Sequence, residues 1–133
     1  MASSLLDAVG SERGGLTLLK LLADNSFDSI LVTDASTKGR IVYANKAFKK
    51  LTGYDPAEVL GKDPRMLQGP GTDRKVIERL AATLKSGGKF EGRAVNYKKD
   101  GTPFIMNWRM FPLKDGGQIV AWVAIQREAV SAT

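Results

Sequence analysis

The sequence predicts an α+β domain: one curved, five-stranded antiparallel sheet with helices over one face, preceded by a leucine-rich N-terminal helix. Three observations carry this. Two runs rich in β-branched residues lie before position 46 and three more after position 89, the residues between them have helical periodicity, and all strand-to-strand joints are short turn material. At 133 residues the chain is one domain's worth, enough to bury a single core.

Residues 3 to 24 read as helix in two pieces. Leu5, Leu6 and Val9 give the first an apolar face, SERGG breaks it, and Leu16, Leu19, Leu22 and Ala23 then recur at helical spacing, with Leu18 and Leu21 widening the stripe. A stripe this dense in leucine needs a cover, either its own domain or the same helix of another subunit. SILVTDA (29–35) and RIVYAN (40–45) read as a hairpin closed by STKG. AFKKLTGY is a short helical piece, and DPAEVLG restarts helix with Asp55 as N-cap, Pro56 at the first helical position and Glu58 completing a capping box.

TDRKVIERLAATLKSGG is the clearest helix. Thr72 or Asp73 caps it, Val76, Ile77, Leu80 and Leu84 form its apolar face against the sheet, and Gly87 and Gly88 stop it. Three strands follow, RAVNYKK, TPFIMNWRMFPL and QIVAWVAIQRE, joined by the hairpin signals Asp100-Gly101 and Asp115-Gly116-Gly117. Boundaries are expected at 1–25 for the helical extension, 26–128 for the domain and 129–133 for the start of a linker.

Composition narrows the chemistry. Cysteine and histidine are both absent, which removes disulfides, thiolate nucleophiles, most zinc or haem ligation and the usual proton shuttle. No carboxylate pair stands in an acid–base context, so the chain reads as a non-enzyme. The formal charge of +6 is dispersed as single or paired basic residues beside acidic ones, never in a block of five. That pattern suits a solvated surface better than a nucleic-acid groove or an anionic membrane, which remains a distant alternative. No apolar run approaches a membrane span and no signal-like layout opens the chain, so a cytoplasmic location is expected.

Four pieces in order, YANKAFKKLTGY, EVLGKDPRMLQGPGTDR, NYKKDGTPF and WVAIQRE, resemble the PAS domain family and its light-oxygen-voltage (LOV) branch over nearly all of residues 26 to 128. The resemblance implies a PAS fold and a sensory, signal-transducing module, usually a homodimer coupled to a downstream effector. It also implies site residues. In flavin-binding LOV domains the positions matching Arg65, Gln68, Asn96 and Gln126 meet the flavin phosphate, the ring side, the pyrimidine edge and the ring's N5 region respectively. A salt bridge or cap is the competing role for Arg65, mutual or backbone hydrogen bonds for Gln68 and Gln126, and holding the sheet for Asn96.

The departures from the LOV pattern are large. Pro64 occupies the position of the photoactive cysteine, so cysteinyl-flavin chemistry is lost, and Asp63 replaces an asparagine beside it. Met106 stands at the second pyrimidine-reading asparagine, and Asn107, one step later in a strand, faces the other way. Alternation turns Met106, Trp108 and Met110 inward, and Trp122 with Ala124 replace the usual Phe and Gly. Met106, Trp108, Met110 and Trp122 are expected to fill pocket space, leaving a smaller ligand or a closed core, with Asp63 or Gln126 as acceptor for a buried indole N–H. FMN is therefore compatible with the polar positions and disfavoured by bulk, and no other cofactor or metal is expected.

The expected function is a LOV-like sensor or interaction module without adduct photochemistry, dimerising through Leu16, Leu19 and Leu22. A cysteine-less FMN-binding LOV domain sensing light or redox state is the alternative. A small-molecule ligand is allowed in either case; nucleic acid and membrane are not expected partners.

Overall fold

The computed structural model describes residues 12–36 and 39–130. Helix α1 (Glu12–Asp24) leads into β1 (Ser29–Asp34) and β2 (Ile41–Ala44). Three short helical pieces follow, α2 (Lys46–Thr52), α3 (Pro56–Val59) and a 3₁₀ turn (Pro64–Leu67), then helix α4 (Arg74–Ser86). The meander β3 (Phe90–Tyr97), β4 (Pro103–Asp115) and β5 (Gln118–Glu128) completes the domain. The strands form one sheet in the order β2-β1-β5-β4-β3, with every neighbouring pair antiparallel. This is the α+β architecture that the strand grouping predicts.

Alternation along β4 sorts the sheet into two faces. Phe104, Met106, Trp108 and Met110 are buried, whereas Ile105 and Arg109 between them are exposed. Asn107 shares the outer side with Ile105 and Arg109, so it cannot serve the interior in place of Met106. The core joins these inward residues to Leu31, Phe48, Val59 and Leu67, which come from the β1 side and the short helical pieces.

Local signals set the helix starts. Asp55 and Glu58 form the reciprocal capping box at α3, with Pro56 in the first turn. At α4 the N-cap is Asp73, whose carboxylate accepts from the Lys75 N–H. Thr72 is committed elsewhere: its hydroxyl accepts from the Gly69 N–H at 3.0 Å and donates to the Val95 carbonyl at 2.6 Å.

Two expected element boundaries are corrected. Helix α1 begins at Glu12 and runs through Gly14 and Gly15, so these glycines lie inside the helix rather than in a break before it, while Ser11 and the first helical piece lie outside the described residues. A helical glycine costs only about 1 kcal/mol relative to alanine, which the leucine-rich turns that follow tolerate. Strand β3 begins at Phe90 rather than Arg93, because Phe90 and Gly92 already pair with Met110 and Trp108. The segment around Leu5, Leu6 and Val9 lies outside the described residues, as do Thr37 and Lys38 of the β1–β2 turn.

Asn45 joins the N-terminal elements. It is 0% exposed, and its side-chain oxygen accepts from the Ile30 N–H at 2.8 Å and the Phe48 N–H at 3.2 Å, capping α2. Its amide nitrogen donates to the Ala23 carbonyl at 2.7 Å and the Asp28 carbonyl at 3.0 Å. One side chain therefore satisfies backbone groups at the end of α1, the start of β1 and the start of α2. Asn45→Ala strands these groups together, and the expected loss is about 2–4 kcal/mol in urea-unfolding free energy. A loss below about 1 kcal/mol would show that water replaces the side chain without cost.

A candidate ligand cavity between the sheet and α4

Helix α4 crosses the inner face of the sheet without sinking into it. None of its residues is buried: Val76 and Leu80 pack against the core while remaining partly exposed, and Ile77, Leu80 and Leu84 line a cavity of about 690 Å³ between helix and sheet. That volume falls in the range of small-molecule sites. Met106, Trp108, Met110 and Trp122 form the inner wall, with Leu31 and Ala124 beside them. They do not close the core: all four line the cavity, and the space under α4 stays open.

Short ties at the edge of β3 hold α4 at this height. The Gly71 N–H donates to the Tyr97 hydroxyl at 2.8 Å, and Thr72 bonds to Val95. A Cβ on Gly69 would lie 2.3 Å from the Tyr97 ring, so only glycine lets the chain pass that close. One turn into the helix, the Arg79 guanidinium donates to the Glu91 carbonyl at 2.9 Å and sits 4.5 Å above the Phe90 ring centroid. Phe90 in turn meets Trp108 with ring centroids 5.1 Å apart.

The cavity wall is mostly apolar, with a few convergent amides. Gln126, only 5% exposed, uses its side-chain oxygen to accept from the Ser29 hydroxyl at 3.0 Å. Asn96, 6% exposed, donates weakly to the Ala94 carbonyl at 3.3 Å. Among the described residues the Gln126 amide nitrogen, the Asn96 amide oxygen and both ends of the Gln68 amide have no protein partner, yet no fully shielded side-chain polar atom is unpaired. These groups therefore look into open space, and all three residues line the cavity. Gln68 and Gln126 do not satisfy each other, and neither Asp63 nor Gln126 accepts from an indole N–H. Ser29 engages the Gln126 oxygen and Arg65 engages Asp63 instead.

At the cavity mouth the 3₁₀ turn begins with Pro64, the cysteine-position residue, after the cap Asp63. The Asp63 carboxylate accepts from the Arg65 N–H at 2.9 Å, from its Nε at 3.0 Å and from its terminal guanidinium nitrogen at 2.7 Å. Arg65 is thus folded back into a local ion pair, with its side chain 76% exposed. Hydrogen bonding to Arg65 holds the Asp63 carboxyl below its ordinary value of 3.8 against a smaller opposing effect of burial. At the far end, the Ser36 hydroxyl and the Arg40 N–H similarly hold the Asp34 carboxyl low.

Sequence reading found the three amides, Arg65, Pro64 and the inward β4 residues. It missed Ser29, Tyr97 and Arg79. Ser29 and Gln126 are 97 positions apart, and no local pattern announces that contact. Tyr97 belongs to the NYKKDGTPF stretch, but its role depends on the Gly69–Gly71 loop docking against it from elsewhere in the chain.

A sheet of this order, roofed by a helix over an amide-studded cavity, is the architecture of a PAS domain. The chain belongs to that family: the PAS-domain profile matches residues 28–129. Within the family its relatives are LOV domains, and it lacks the cysteine of their photochemistry. It is 36% identical over 107 residues to phototropin-2 of Oryza sativa subsp. japonica, which covers 79% of this chain and 12% of the phototropin. The LOV domain of a blue-light activated histidine kinase from Erythrobacter litoralis EL346 is 33% identical at TM-score 0.72, covering 76% of this chain and 94% of that one. A LOV domain solved in work with a flavin analogue is 34% identical at TM-score 0.78, covering 86% and 85%.

The Asp63–Arg65 pair gives a pH signature. A folded-state pKa below the unfolded one adds stability that is complete above 3.8 and is lost as pH falls through the lower folded value. Asp63→Asn is expected to be less stable than the parent at neutral pH, with the gap narrowing below pH 3.8 when both are followed by thermal unfolding. A gap that stays constant with pH would show that Asp63 acts only as a hydrogen-bonding cap.

Proposed function

We propose that this chain is the sensory module of a signalling protein, one that binds a planar heteroaromatic ligand, a flavin first among them, and reports its presence or redox state without forming a cysteinyl adduct. The supporting observation is the cavity under α4, whose unpaired amides on Gln68, Asn96 and Gln126 are set in apolar walls. The edge of a flavin's pyrimidine ring alternates donors and acceptors, and primary amides complement such an edge. Asn96 and Gln68 would hold the ring edge, and Gln126 would face its central nitrogen. Bound flavin supplies one- and two-electron redox chemistry and light absorption. Arg65 contributes little to a phosphate in its present pose, since Asp63 already neutralises it.

We read the domain as non-catalytic and cytoplasmic. No helix of the described residues is long and apolar enough to cross a membrane, and the chain has neither cysteine nor histidine. Dimerisation through α1 is the proposed route of output. Leu16, Leu19 and Leu22 are 53%, 65% and 60% exposed, a leucine stripe left uncovered by its own domain. An effector in the same or a partner chain would then respond to a change in α1 packing.

Two measurements test this reading. Protein mixed with FMN and desalted is expected to retain the blue absorption band of the flavin, and illumination should produce no adduct spectrum. Replacing Asn96 and Gln126 together by Leu should weaken FMN binding by about tenfold or more, in line with the loss of one or two net hydrogen bonds. A colourless protein after desalting contradicts the flavin assignment. Separately, Leu16→Ser with Leu19→Ser and Leu22→Ser is expected to convert a dimer to a monomer in sedimentation velocity. An unchanged mass removes α1 from the interface.

A further inference from the structure

The inner wall of the cavity contains a redox-active side chain. Trp108 is 7% exposed and pairs across the sheet with Gly92 on one side and Gln126 on the other. Its ring plane is fixed by Phe90, which is itself covered by Arg79. Its indole N–H makes no hydrogen bond among the described residues, so no acceptor draws the ring away from the cavity it lines. Trp122 lies further toward the Asp34 end, opposite Thr33 and Pro112.

We propose that Trp108 is a one-electron donor to a ligand in this cavity and makes the site photochemically silent. The proposal rests on the flavin reading given above. The isoalloxazine ring is a strong one-electron oxidant in its excited state, and indole is among the most easily oxidised side chains. Trp108 on the sheet and Ile77, Leu80 and Leu84 on α4 line the same cavity, so a ring seated between helix and sheet would be brought up against the indole. On excitation the indole gives up one electron, leaving an indole radical cation and a ring reduced by one electron. The same electron then returns to the indole. No bond is made or broken, no proton needs to move, and no outside reductant is consumed. The net result is light energy lost as heat.

This gives the cysteine position a companion. Pro64 removes the thiol that would trap the excited state, and Trp108 drains it, so two independent residues act in the same direction. The site would register whether a flavin is present and in which redox state, with light excluded as its input. An electron-transfer rate about ten times the combined rate of all other decay of the excited ring lowers the fluorescence yield about tenfold, a change equivalent to little more than 1 kcal/mol in an activation barrier.

The experiment uses the full chain loaded with FMN. Absorbance retained after desalting reports binding, and fluorescence yield and lifetime per bound FMN report quenching. The proposal expects retained FMN with emission about tenfold below free FMN, a shortened lifetime and a transient indole radical-cation absorption. Trp108→Phe should restore emission, and Trp122→Phe should leave the bound FMN dark. If Trp108→Phe fails to fold, the parent's lifetime and transient spectrum still decide the question. Bound FMN as bright as free FMN overturns the proposal while leaving the flavin reading intact. Emission restored by Trp122→Phe and not by Trp108→Phe assigns the donor elsewhere. A protein that retains no FMN contradicts the flavin reading, and the role of Trp108 with it.

Discussion

The height at which α4 rides above the sheet governs everything that can happen in this domain. The helix carries an apolar face that would ordinarily sink onto the inner strands, yet none of its residues is buried. Its position is dictated by the ties to β3: Gly71 to Tyr97, Thr72 to Val95, and Arg79 to Glu91 and the Phe90 ring. Gly69 and Gly92 make these ties feasible, since a Cβ on either would collide with an aromatic ring or with Arg79. Apolar surface left facing a cavity forfeits the dispersion and transfer energy that contact would supply. A ligand slab inserted between helix and strands would recover it, and this gives occupancy a mechanical consequence.

Opposite α4, the sheet connects the cavity to the N-terminal helix. Gln126 lines the cavity and accepts from Ser29, the first residue of β1. The residue before it, Asp28, pairs with Arg127 at 2.6 Å and accepts from Asn45 through its carbonyl. Asn45 in turn holds the last turn of α1 through Ala23. Cavity wall and leucine helix are thereby a few hydrogen bonds apart, which is a compact geometry for a module whose output is a change in helix packing. Arrangements of this kind transmit a signal only if the coupled element has two states of similar free energy.

The fold was legible because its local and global signals agree. Alternation in TPFIMNWRM, the Asp55–Glu58 box and the glycine pair after α4 each specify one element without reference to the others. The site was legible in its inventory and not in its dimensions. Inward Trp108 and Trp122 follow from strand periodicity, but whether two indoles fill a cavity depends on the height of the opposing helix. That height is set by Thr72, Tyr97 and Arg79, contacts between residues 12 to 26 positions apart that leave no periodic trace. Arg65 shows the same limit. Its motif position suggests an anion site, while a carboxylate two residues earlier captures it within its own turn. Gly14 and Gly15 read as a break yet lie inside α1, because two glycines weaken a helix without obliging it to stop.

We propose that α4 and the sheet are held apart to enclose a ligand site. Amide hydrogen exchange of residues 74–86, compared between free and FMN-saturated protein, tests it most directly. Exchange across α4 is expected to slow markedly on saturation, with smaller changes at β3 and at Ser29. Exchange in α4 that is already slow in the free protein and unaltered by FMN would contradict it, and would mean that the helix is secured without a ligand.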